Sequence, residues 1–479
     1  MKIAVNLRLL NPGKIGGMEG YVRNLLKYLL QVDPTLELLL FVTDENEQSF
    51  DFNPHRVNKF KLSHTEYCRE IPIALRDNGI DVYFCPLLAI EPFTISVPSV
   101  VTIPDVQHEF FPEFFSSDIL CWRRLNYKSS VSVADAVLTL SQYSARTIIE
   151  KLGVPGDKVF PILLSADDSY TAEFHSETDR HVRNKYKLPD AYGFFPANTW
   201  PHKNHPILLK ALGICRKNNL TIKIVLTGAP DIGHQSLEKA ISAEGLQNDI
   251  LYLGYVPKDD MRYLYKNAAF LVFPSLFEGF GMPVLEAMLS DCPVICSGTT
   301  SLPEVAGDAA LYFDPNDPYD IAEAMRKVIS DQGLRHTLIM KGQIQAKKFE
   351  WRYTAKQTLE VFRNVIISYN IRVRNTQLVN DVTSSCNQSQ FSDDCMDSVL
   401  RKKYLEEDKF QRHGEDRDQQ VAGLNAETAK LRTHIVDLSQ QIDALNAQQE
   451  RILSSNSWML TKPFRLIRQF LSRCKPGTR

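Results

Sequence analysis

Short apolar runs alternate with amphipathic stretches through the first third of the chain, and this alternation predicts a β-α-β series. The runs are apolar at nearly every position, as strands are when helices cover both faces of a parallel sheet. The predicted strands are residues 3–6, 38–43, 82–85, 99–103 and 136–140. The pattern therefore indicates a doubly wound α/β domain, a class in which ligands bind where the strands end.

A second series of apolar runs begins near residues 192–197, after a polar stretch. Its next predicted strands are residues 222–227, 251–256, 268–273 and 294–296. Residues 165–187 carry many charged side chains, and we interpret them as the linker between two domains. The sequence therefore predicts two Rossmann-like domains, residues 1–175 and residues 176–370, and the second ends in a helix that begins near Trp351.

The composition changes after residue 370. Residues 371–413 are rich in Asn, Ser, Asp and Gln, and predict a polar linker. Residues 414–455 then show heptads, in which Ile435 and Ile442 take a positions and Leu431, Leu438 and Leu445 take d positions. Isoleucine at a with leucine at d favours a parallel two-stranded coiled coil, and hence a homo-oligomer. The alternative is a single long helix that packs on its own domain.

Residues 456–479 form a basic, amphipathic tail. The tail has no acidic residue, because the last one in the chain is Glu450. Trp458 and Phe464 lead its apolar side, and Pro463 suits the first turn of a helix. A basic amphipathic helix with aromatic residues binds flat on anionic membranes, so we predict peripheral membrane contact. The alternative is a helix docked on the protein's own surface.

Composition narrows the class of protein. The chain has 479 residues, is 44% hydrophobic and 23% charged, and carries a formal net charge of -2. This charge gives no sign of nucleic-acid binding. We expect no signal peptide, because Met1 leads directly into a strand, and no apolar run is long enough to cross a bilayer. The nine cysteines show no zinc-type spacing and predict reduced thiols in a cytoplasmic protein.

The most informative stretch is residues 273–288, FPSLFEGFGMPVLEAM. It follows a buried strand, and its glycines, Gly279 and Gly281, allow a ligand to approach the backbone closely. Pro283 suits the start of a helix, so Glu278 lies in the loop and Glu286 lies about one turn into the helix. Carboxylates and free N–H groups at a strand end suit a polyhydroxy ligand such as a sugar. The alternative is a turn with two solvated glutamates. We expect that Glu286 is not a core side chain, so its loss should leave the fold intact.

Further candidate residues follow other predicted strands. Gly16 and Gly17 precede the first helix and could cradle a phosphate, although a plain flexible turn has the same pattern. Asp105 and His108 come just after residues 99–103 and would face a cleft, although a single histidine is more often structural. Lys203 precedes a helix start, where a cation and free N–H groups form a phosphate site. The alternative for Lys203 is an exposed loop lysine.

Together these motifs resemble retaining GT-B glycosyltransferases with a glutamate-x7-glutamate signature, family 4 in particular. The resemblance covers about residues 1–370. It is strongest to bacterial mannosyltransferases of surface polysaccharide synthesis, through the strings DVQHEFFPEFF and PANTWPHKNH. It implies the GT-B fold, with an acceptor domain that faces a nucleotide-sugar donor domain and a last helix that returns to pack on the first domain. The implied reaction transfers a hexose with retained anomeric configuration.

The resemblance also implies roles for the candidate residues. It assigns the sugar hydroxyls to Glu278 and to the N–H groups of Gly279, Phe280, Gly281 and Met282. It assigns the ribose to Glu286, the nucleotide base to backbone near Tyr255 and Val256, and the diphosphate to Lys203, Gly16 and Gly17. The transferred sugar would contact His108 and Asp105. The arginine that often precedes the lysine in the family is absent, which puts a two-cation clamp in doubt.

No metal or other cofactor is expected. The one Asp-x-Asp in the chain is Asp416 with Asp418, outside the two predicted catalytic domains. The resemblance favours GDP-mannose as donor and a lipid-linked or saccharide acceptor in lipopolysaccharide O-antigen synthesis. UDP-glucose and UDP-N-acetylglucosamine are alternative donors. A sugar-nucleotide epimerase and a catalytically silent GT-B scaffold are alternative functions. We expect the protein at the cytoplasmic face of the inner membrane.

Overall fold

The computed structural model describes residues 1–383, except residues 14–15, 51, 172–173 and 231–232. The predicted coiled coil, the basic tail and most of the polar linker lie outside the described residues. Within residues 1–383, apart from those gaps, no helix is both long and apolar enough to cross a membrane.

The first domain is built on a parallel sheet. Its strand order in the described residues is β3-β2-β1-β4-β5-β6-β7. The strands are β1 (Lys2–Asn6), β2 (Glu37–Val42), β3 (Val57–Lys61), β4 (Val82–Cys85), β5 (Ser99–Thr102), β6 (Ala136–Thr139) and β7 (Val159–Pro161). The strands β4, β5 and β6 are buried at every position, which explains why none of their residues is charged.

The second domain contains another parallel sheet, with the order β10-β9-β8-β11-β12-β13 in the described part of the chain. Its strands are β8 (Gly193–Pro196), β9 (Ile224–Thr227), β10 (Ile250–Tyr252), β11 (Phe270–Phe273), β12 (Val294–Ser297) and β13 (Ala310–Phe313). The strand β11 lies between β8 and β12, near the middle of the sheet. The loop that follows β11 therefore starts at a position flanked by the ends of neighbouring strands.

Helices cover both sheets. They are α1 (Gly17–Val32), α2 (Tyr67–Asp77), α3 (Gln107–Phe110), α4 (Ser117–Val133), α5 (Gln142–Leu152), α6 (Ser176–Tyr186), α7 (His205–Lys217), α8 (His234–Ala243), α9 (Lys258–Asn267), α10 (Met282–Leu289), α11 (Leu302–Ala306), α12 (Pro318–Ser330), α13 (Gln332–Ala346) and α14 (Trp351–Thr383). The helix α1 buries Val22, Leu25, Leu26 and Leu29, at the spacing that one helix face requires.

The predicted strand 251–256 is shorter in the structure, where β10 ends at Tyr252, and the prediction missed three further elements. The edge strand β3 has one buried residue, Val57, and one half-buried residue, Phe60, among exposed polar residues, so it has no apolar run. The short strand β7 lies where the sequence indicated only a connection. Helix α6 lies inside the stretch that we interpreted as linker. This helix is mostly polar. Among its described residues, Val182 is the one fully buried apolar side chain.

The last helix, α14, ties the second domain to the first. The Trp351 indole N–H donates to the carbonyl of Ala166 at 2.7 Å, and the Thr354 hydroxyl donates to the carbonyl of Leu163 at 2.7 Å. Farther along, the Phe362 ring packs on Phe84 of the first sheet, with centroids 5.1 Å apart. These contacts hold the two domains together on the side where the chain crosses between them.

Candidate active site

The loop between β11 and α10 has a conformation that its glycines require. Gly281 has a φ of 107°, and a Cβ there would lie 2.5 Å from Leu302 Cδ2. The Ser301 hydroxyl donates to the carbonyls of Glu278 and Phe280, at 2.9 Å and 2.8 Å. The Glu278 N–H donates to Thr300 Oγ1 at 3.2 Å. The segment before α11 therefore fixes the loop through its backbone and leaves the Glu278 carboxylate free to contact other groups.

The structure pairs two residues that the sequence predicted separately. Lys203 ends a short 3₁₀ helix just before α7, and its Nζ donates to Glu278 Oε1 at 2.6 Å. Their side chains are 16% and 12% exposed. The cation expected to bind the diphosphate and the carboxylate expected to bind the sugar therefore lie together, at the carboxyl ends of β8 and β11.

The same loop meets the first domain at Gly279. A Cβ on Gly279 would lie 2.8 Å from the Pro104 carbonyl oxygen and 3.0 Å from Asp105 Oδ2. Asp105 Oδ1 accepts a hydrogen bond from the Gln107 N–H at 2.9 Å. Burial raises the pKa of the Asp105 carboxyl, although positive charge on Arg123 opposes the shift. Asp105, Glu278 and Lys203 therefore share one interdomain site.

His108 does not project into open space. Its side chain is fully buried, with the Tyr127 and Phe115 rings edge-on at centroid distances of 5.0 Å and 6.4 Å. Burial, and then the charge of Arg123, lowers the pKa of His108 to about 4, so the imidazole is neutral at pH 7. Neither ring nitrogen of His108, nor the Tyr127 hydroxyl, has a hydrogen-bond partner in the described residues. The position beside Asp105 was predicted, but the aromatic surroundings were not.

Arg123 is a site residue that the sequence did not single out. It lies on α4, and its guanidinium carbon is 4.7 Å from the Phe115 ring centroid and 5.8 Å from that of Tyr127. Its charge acts on the pKa of Asp105 and on that of His108. Arg123 therefore adds a cation from the first domain to a site where the sequence left a second cation in doubt. No motif marks it, because it lies within a helix and does not follow a strand.

Glu286 is held by two tyrosines. Its Oε2 accepts from the Tyr265 hydroxyl at 2.7 Å, and the Tyr170 hydroxyl also bonds to the carboxylate. Burial raises the pKa of Glu286, whereas Tyr265, Lys258 and Tyr170 act in the opposite direction. Glu286 lies about one turn into α10, as predicted. We predicted that Glu286 is not a core side chain and that its loss leaves the fold intact, but its carboxylate also accepts from the fully buried Tyr265 hydroxyl, so its loss would remove a structural hydrogen bond as well.

The remaining predicted residues lie in three places. Gly16 has a φ of 55° at the start of α1, and a Cβ built on Gly16 or Gly17 would have no atom within 4 Å from the described residues beyond its chain neighbours. The Tyr255 side chain is 78% exposed, whereas Val256 is buried. A ligand at these two positions would therefore meet mainly backbone and the exposed phenol. Met282 begins α10, whose N-terminal N–H groups follow Gly281.

A polar cavity of about 280 Å³ opens at the carboxyl ends of β1, β2 and β3. It is lined by Arg8, Leu9, Leu10, Asn11, Thr43, Glu45, Ser63 and His64. An ion pair with Glu91 and a cation–π contact of 4.3 Å to the Tyr67 ring orient Arg8. The cavity shares a sheet edge with Asp105, and strands in a sheet are about 4.8 Å apart. The strand β1 is two places from β5, so the cavity lies on the order of 10–20 Å from Asp105.

No cluster of three or more His, Cys, Asp or Glu side chains suitable for a metal occurs in the described part of the chain.

Comparisons with known proteins agree with this architecture. Residues 178–345 match the family described as glycosyl transferases group 1. The chain is 31% identical over 312 residues to O-antigen chain mannosyltransferase B of Escherichia coli, a match that covers 65% of this chain and 80% of the relative. It is 30% identical over 249 residues to the serotype-specific mannosyltransferase WbdA of Escherichia coli, covering 51% of this chain and 30% of WbdA.

Solved structures show the same fold. HepE of Anabaena, crystallised with UDP and glucose, superposes with a TM-score of 0.61 at 20% identity, over 76% of this chain and 99% of HepE. The two parallel-sheet domains and the matches together define a glycosyltransferase of the GT-B fold. The chain belongs to the group 1 glycosyl transferases.

Proposed function

We propose that this glycosyltransferase moves mannose from GDP-mannose to a saccharide or lipid-linked acceptor in O-antigen synthesis, with retention of the anomeric configuration. The observation that carries this proposal is the Lys203–Glu278 pair, which lies at the interdomain site beside Asp105. The choice of mannose is supported by the match to O-antigen chain mannosyltransferase B, which extends over 80% of that relative.

In the proposed reaction, the bond between the anomeric carbon and the diphosphate oxygen breaks, and a bond from the acceptor oxygen to that carbon forms on the same face. The acceptor hydroxyl proton passes to the leaving diphosphate. No side-chain nucleophile is needed. Catalysis comes from positioning and from stabilisation of charge, which are the largest contributions in transfers of this kind.

Each group near the site has a task in this scheme. Lys203 and the open backbone at Gly16 and Gly17 neutralise the diphosphate. Glu278 and the N–H groups from Gly279 to Met282 hold the sugar hydroxyls, and the unpartnered nitrogens of His108 offer a neutral hydrogen-bonding group. Glu286 accepts from the ribose hydroxyls, and backbone at Tyr255 and Val256 contacts the base.

The free protein must rearrange one contact to bind the donor. Lys203 is already paired with Glu278, so a diphosphate competes with this carboxylate for the ammonium group. The hydroxyls of the sugar can then replace Lys203 as partners of Glu278. Binding would therefore exchange one ion pair for a lysine–diphosphate contact and a set of charge-assisted hydrogen bonds to hydroxyls.

The polar cavity at β1, β2 and β3 suits a part of the acceptor that is distant from the reacting hydroxyl. Its mixture of guanidinium, amide, hydroxyl, carboxylate and imidazole groups can hydrogen-bond to sugars. At a distance on the order of 10–20 Å from Asp105, the cavity is too far away to hold the sugar residue that is transferred. We therefore assign it to the saccharide acceptor.

Other donors and functions predict different results. HepE, with a similar fold, was crystallised with UDP and glucose, so UDP-glucose is the main alternative donor, with UDP-N-acetylglucosamine next. An epimerase would convert the nucleotide sugar without an acceptor. A silent scaffold would bind no donor, and the retained Lys203, Glu278 and Glu286 side chains argue against it.

The test is a panel of nucleotide sugars. Calorimetry with GDP-mannose, UDP-glucose and UDP-N-acetylglucosamine is expected to show the tightest binding for GDP-mannose. Incubation of GDP-mannose with a saccharide acceptor is then expected to give a longer saccharide and GDP. Tighter binding of a UDP-sugar would indicate that this UDP-sugar, and not GDP-mannose, is the donor. Conversion of the nucleotide sugar without an acceptor would favour the epimerase.

We propose that the reaction needs no metal ion, because Lys203 and helix N-termini supply positive charge for the diphosphate. Activity is therefore expected to survive EDTA, measured as the rate of GDP release in buffer with and without chelator. Loss of activity with EDTA that returns on adding Mg²⁺ or Mn²⁺ would contradict this prediction.

We also propose that residues 456–479 attach the protein to the cytoplasmic face of the inner membrane and that residues 414–455 form an oligomerising coiled coil. Lipid-linked acceptors lie at that surface, and each cation of the tail near anionic lipids contributes about 1 kcal/mol. Full-length protein is expected to sediment with anionic liposomes at low salt, whereas a form ending at Ser455 is not. Equal sedimentation of both forms would exclude attachment through the tail.

A further inference from the structure

The loop that carries Glu278 is attached to the first domain by contacts that no sequence motif indicates. The carboxylate of Glu304, in α11 of the second domain, accepts from the backbone N–H of Gln142 at 2.7 Å and of Tyr143 at 2.6 Å. Both N–H groups belong to the first turn of α5 in the first domain. A side chain of one domain thus caps a helix of the other.

This interdomain cap supplies hydrogen-bond acceptors to the N-terminus of α5. The first N–H groups of a helix have no partner within the helix, and its N-terminus carries partial positive charge. Ser141 accepts from the Ser144 N–H and satisfies one of them. Glu304 satisfies two more with a full negative charge, which makes the hydrogen bonds charge-assisted. When the domains separate, these N–H groups and the carboxylate must all return to water.

A second set of contacts lies beside the cap. Phe277, the residue before Glu278, is 2% exposed, and its ring contacts three aromatic rings of the first domain. The centroid distances are 5.3 Å to Phe110, 6.2 Å to Phe111 and 5.8 Å to Tyr143. Burial of this apolar ring between the domains favours the closed arrangement, because opening would expose it to water.

The two sets of contacts meet at the Glu278 loop. The Ser301 hydroxyl, three residues before Glu304, binds the carbonyls of Glu278 and Phe280. From the other side, the Ser144 hydroxyl of α5 donates to the Gly279 carbonyl at 3.2 Å. The loop is therefore held between α11 and α5, and its position depends on their connection.

We infer that Glu304 and Phe277 are positioning residues, which hold the loop that carries Glu278 against the first domain. Neither side chain is among the residues that we assign to the donor or the acceptor. Their effect on turnover rests on the proposed function, whereas their effect on the α5 amides does not. A transfer reaction is sensitive to small displacements of its positioning groups, so loss of the connection lowers kcat more than it weakens donor binding.

The test compares two conservative variants, Glu304→Gln and Asp331→Asn. Asp331 caps α13 by accepting from the Leu334 N–H at 2.8 Å, within the second domain. Both variants remove the negative charge of a helix-capping carboxylate but keep an amide oxygen that can still accept, so both are expected to lower stability only slightly. Only Glu304→Gln is expected to lower kcat, by about tenfold or more, because only Glu304 connects the domains. Donor affinity by calorimetry is expected to change by less than about twofold in either variant, since donor contacts lie mainly in the second domain.

Hydrogen exchange of the Gln142 and Tyr143 amides provides a measurement that does not depend on activity. Exchange is expected to be faster in Glu304→Gln and unchanged in Asp331→Asn. Phe277→Leu, which retains an apolar side chain, is expected to show the same pattern of lower kcat and faster exchange. Equal losses of kcat in the Gln and Asn variants, or unchanged exchange at both amides in Glu304→Gln, would overturn the inference. Absence of transfer by wild-type protein would reject the proposed function, and the exchange experiment would still decide on the interdomain cap.

Discussion

Glu278→Gln is expected to lower kcat by about 10²- to 10³-fold, the loss that follows removal of one electrostatic contact at a developing charge. Glutamine fills the same space, but it lacks the negative charge that attracts Lys203 and polarises sugar hydroxyls. The two partners are mostly buried, and their 2.6 Å contact is short, so the charge acts in a partly desolvated site. The rate of GDP release from GDP-mannose, in the presence of acceptor, measures the effect.

Asp291→Asn is a matched control for this variant. Asp291 accepts from Lys266 at 2.6 Å, so the substitution also removes one carboxylate from a lysine–carboxylate pair. The Asp291 side chain is 35% exposed and lies outside the site, and kcat is therefore expected to stay near the wild-type value. A folded Glu278→Gln variant with nearly normal turnover would remove the central carboxylate from the proposed mechanism.

Glu286→Gln is expected to lower kcat/KM for the donor by about 10- to 100-fold and to leave the protein at least as stable as wild type at neutral pH. A hydrogen bond to a charged group contributes about 1.5–3 kcal/mol, and each 1.4 kcal/mol is tenfold in affinity. The loss is expected mainly in KM for the donor if Glu286 binds the ribose equally in the ground state and the transition state. The glutamine oxygen can still accept from Tyr265, so the buried phenol keeps its partner.

The pH dependence of stability follows from the raised pKa of Glu286. A carboxyl with a higher pKa in the folded state favours folding when it is protonated. That contribution is complete below the unfolded pKa of about 4.3 and is lost as pH rises through the folded pKa. The Gln variant has no such loss, so its advantage in free energy of unfolding over wild type is expected to grow across this range and then level off. Urea unfolding at several pH values measures it.

Glu286→Ala separates the structural role of Glu286 from its role in binding. Alanine leaves the buried Tyr265 hydroxyl without this acceptor, at a cost of about 1–3 kcal/mol. The Ala variant is therefore expected to lose at least as much kcat/KM for the donor as the Gln variant and also to be less stable than wild type, whereas the Gln variant loses donor kcat/KM and stays stable. Normal donor kinetics in a folded Gln variant would show that Glu286 is structural alone.

The sequence predicted most of the fold because buried parallel strands have a clear pattern. β4 and β6 are apolar at nearly every position, β5 has an apolar centre and no charged residue, and the predicted bounds of all three differ from the observed ones by at most one residue. β3 was not predicted, because an edge strand needs only one buried face and its sequence, VNKFK, has only scattered apolar positions. Helix α6 was missed for a similar reason, because a single buried valine does not produce a helical pattern of apolar residues.

The sequence predicted those residues of the candidate site that come directly after a strand. Glu278, Asp105 and Lys203 each come after a strand, and the structure brings them together. Residues that act across the domains could not be found in this way. Arg123 lies mid-helix, and Tyr170 lies in the interdomain connection, so their places depend on how the two domains pack. The same is true of Glu304, whose partners are 161 and 162 residues away in the chain.

The most direct test of the account is the configuration of the product formed from GDP-mannose, in which mannose is α-linked to the diphosphate. Wild-type protein is incubated with GDP-mannose and a saccharide acceptor, and the anomeric carbon–hydrogen coupling of the new linkage is measured by NMR before any further hydrolysis. We predict an α-mannosyl linkage, which means retention. A β-mannosyl product would contradict the proposed same-face mechanism, and transfer from UDP-glucose with none from GDP-mannose would contradict the proposed donor.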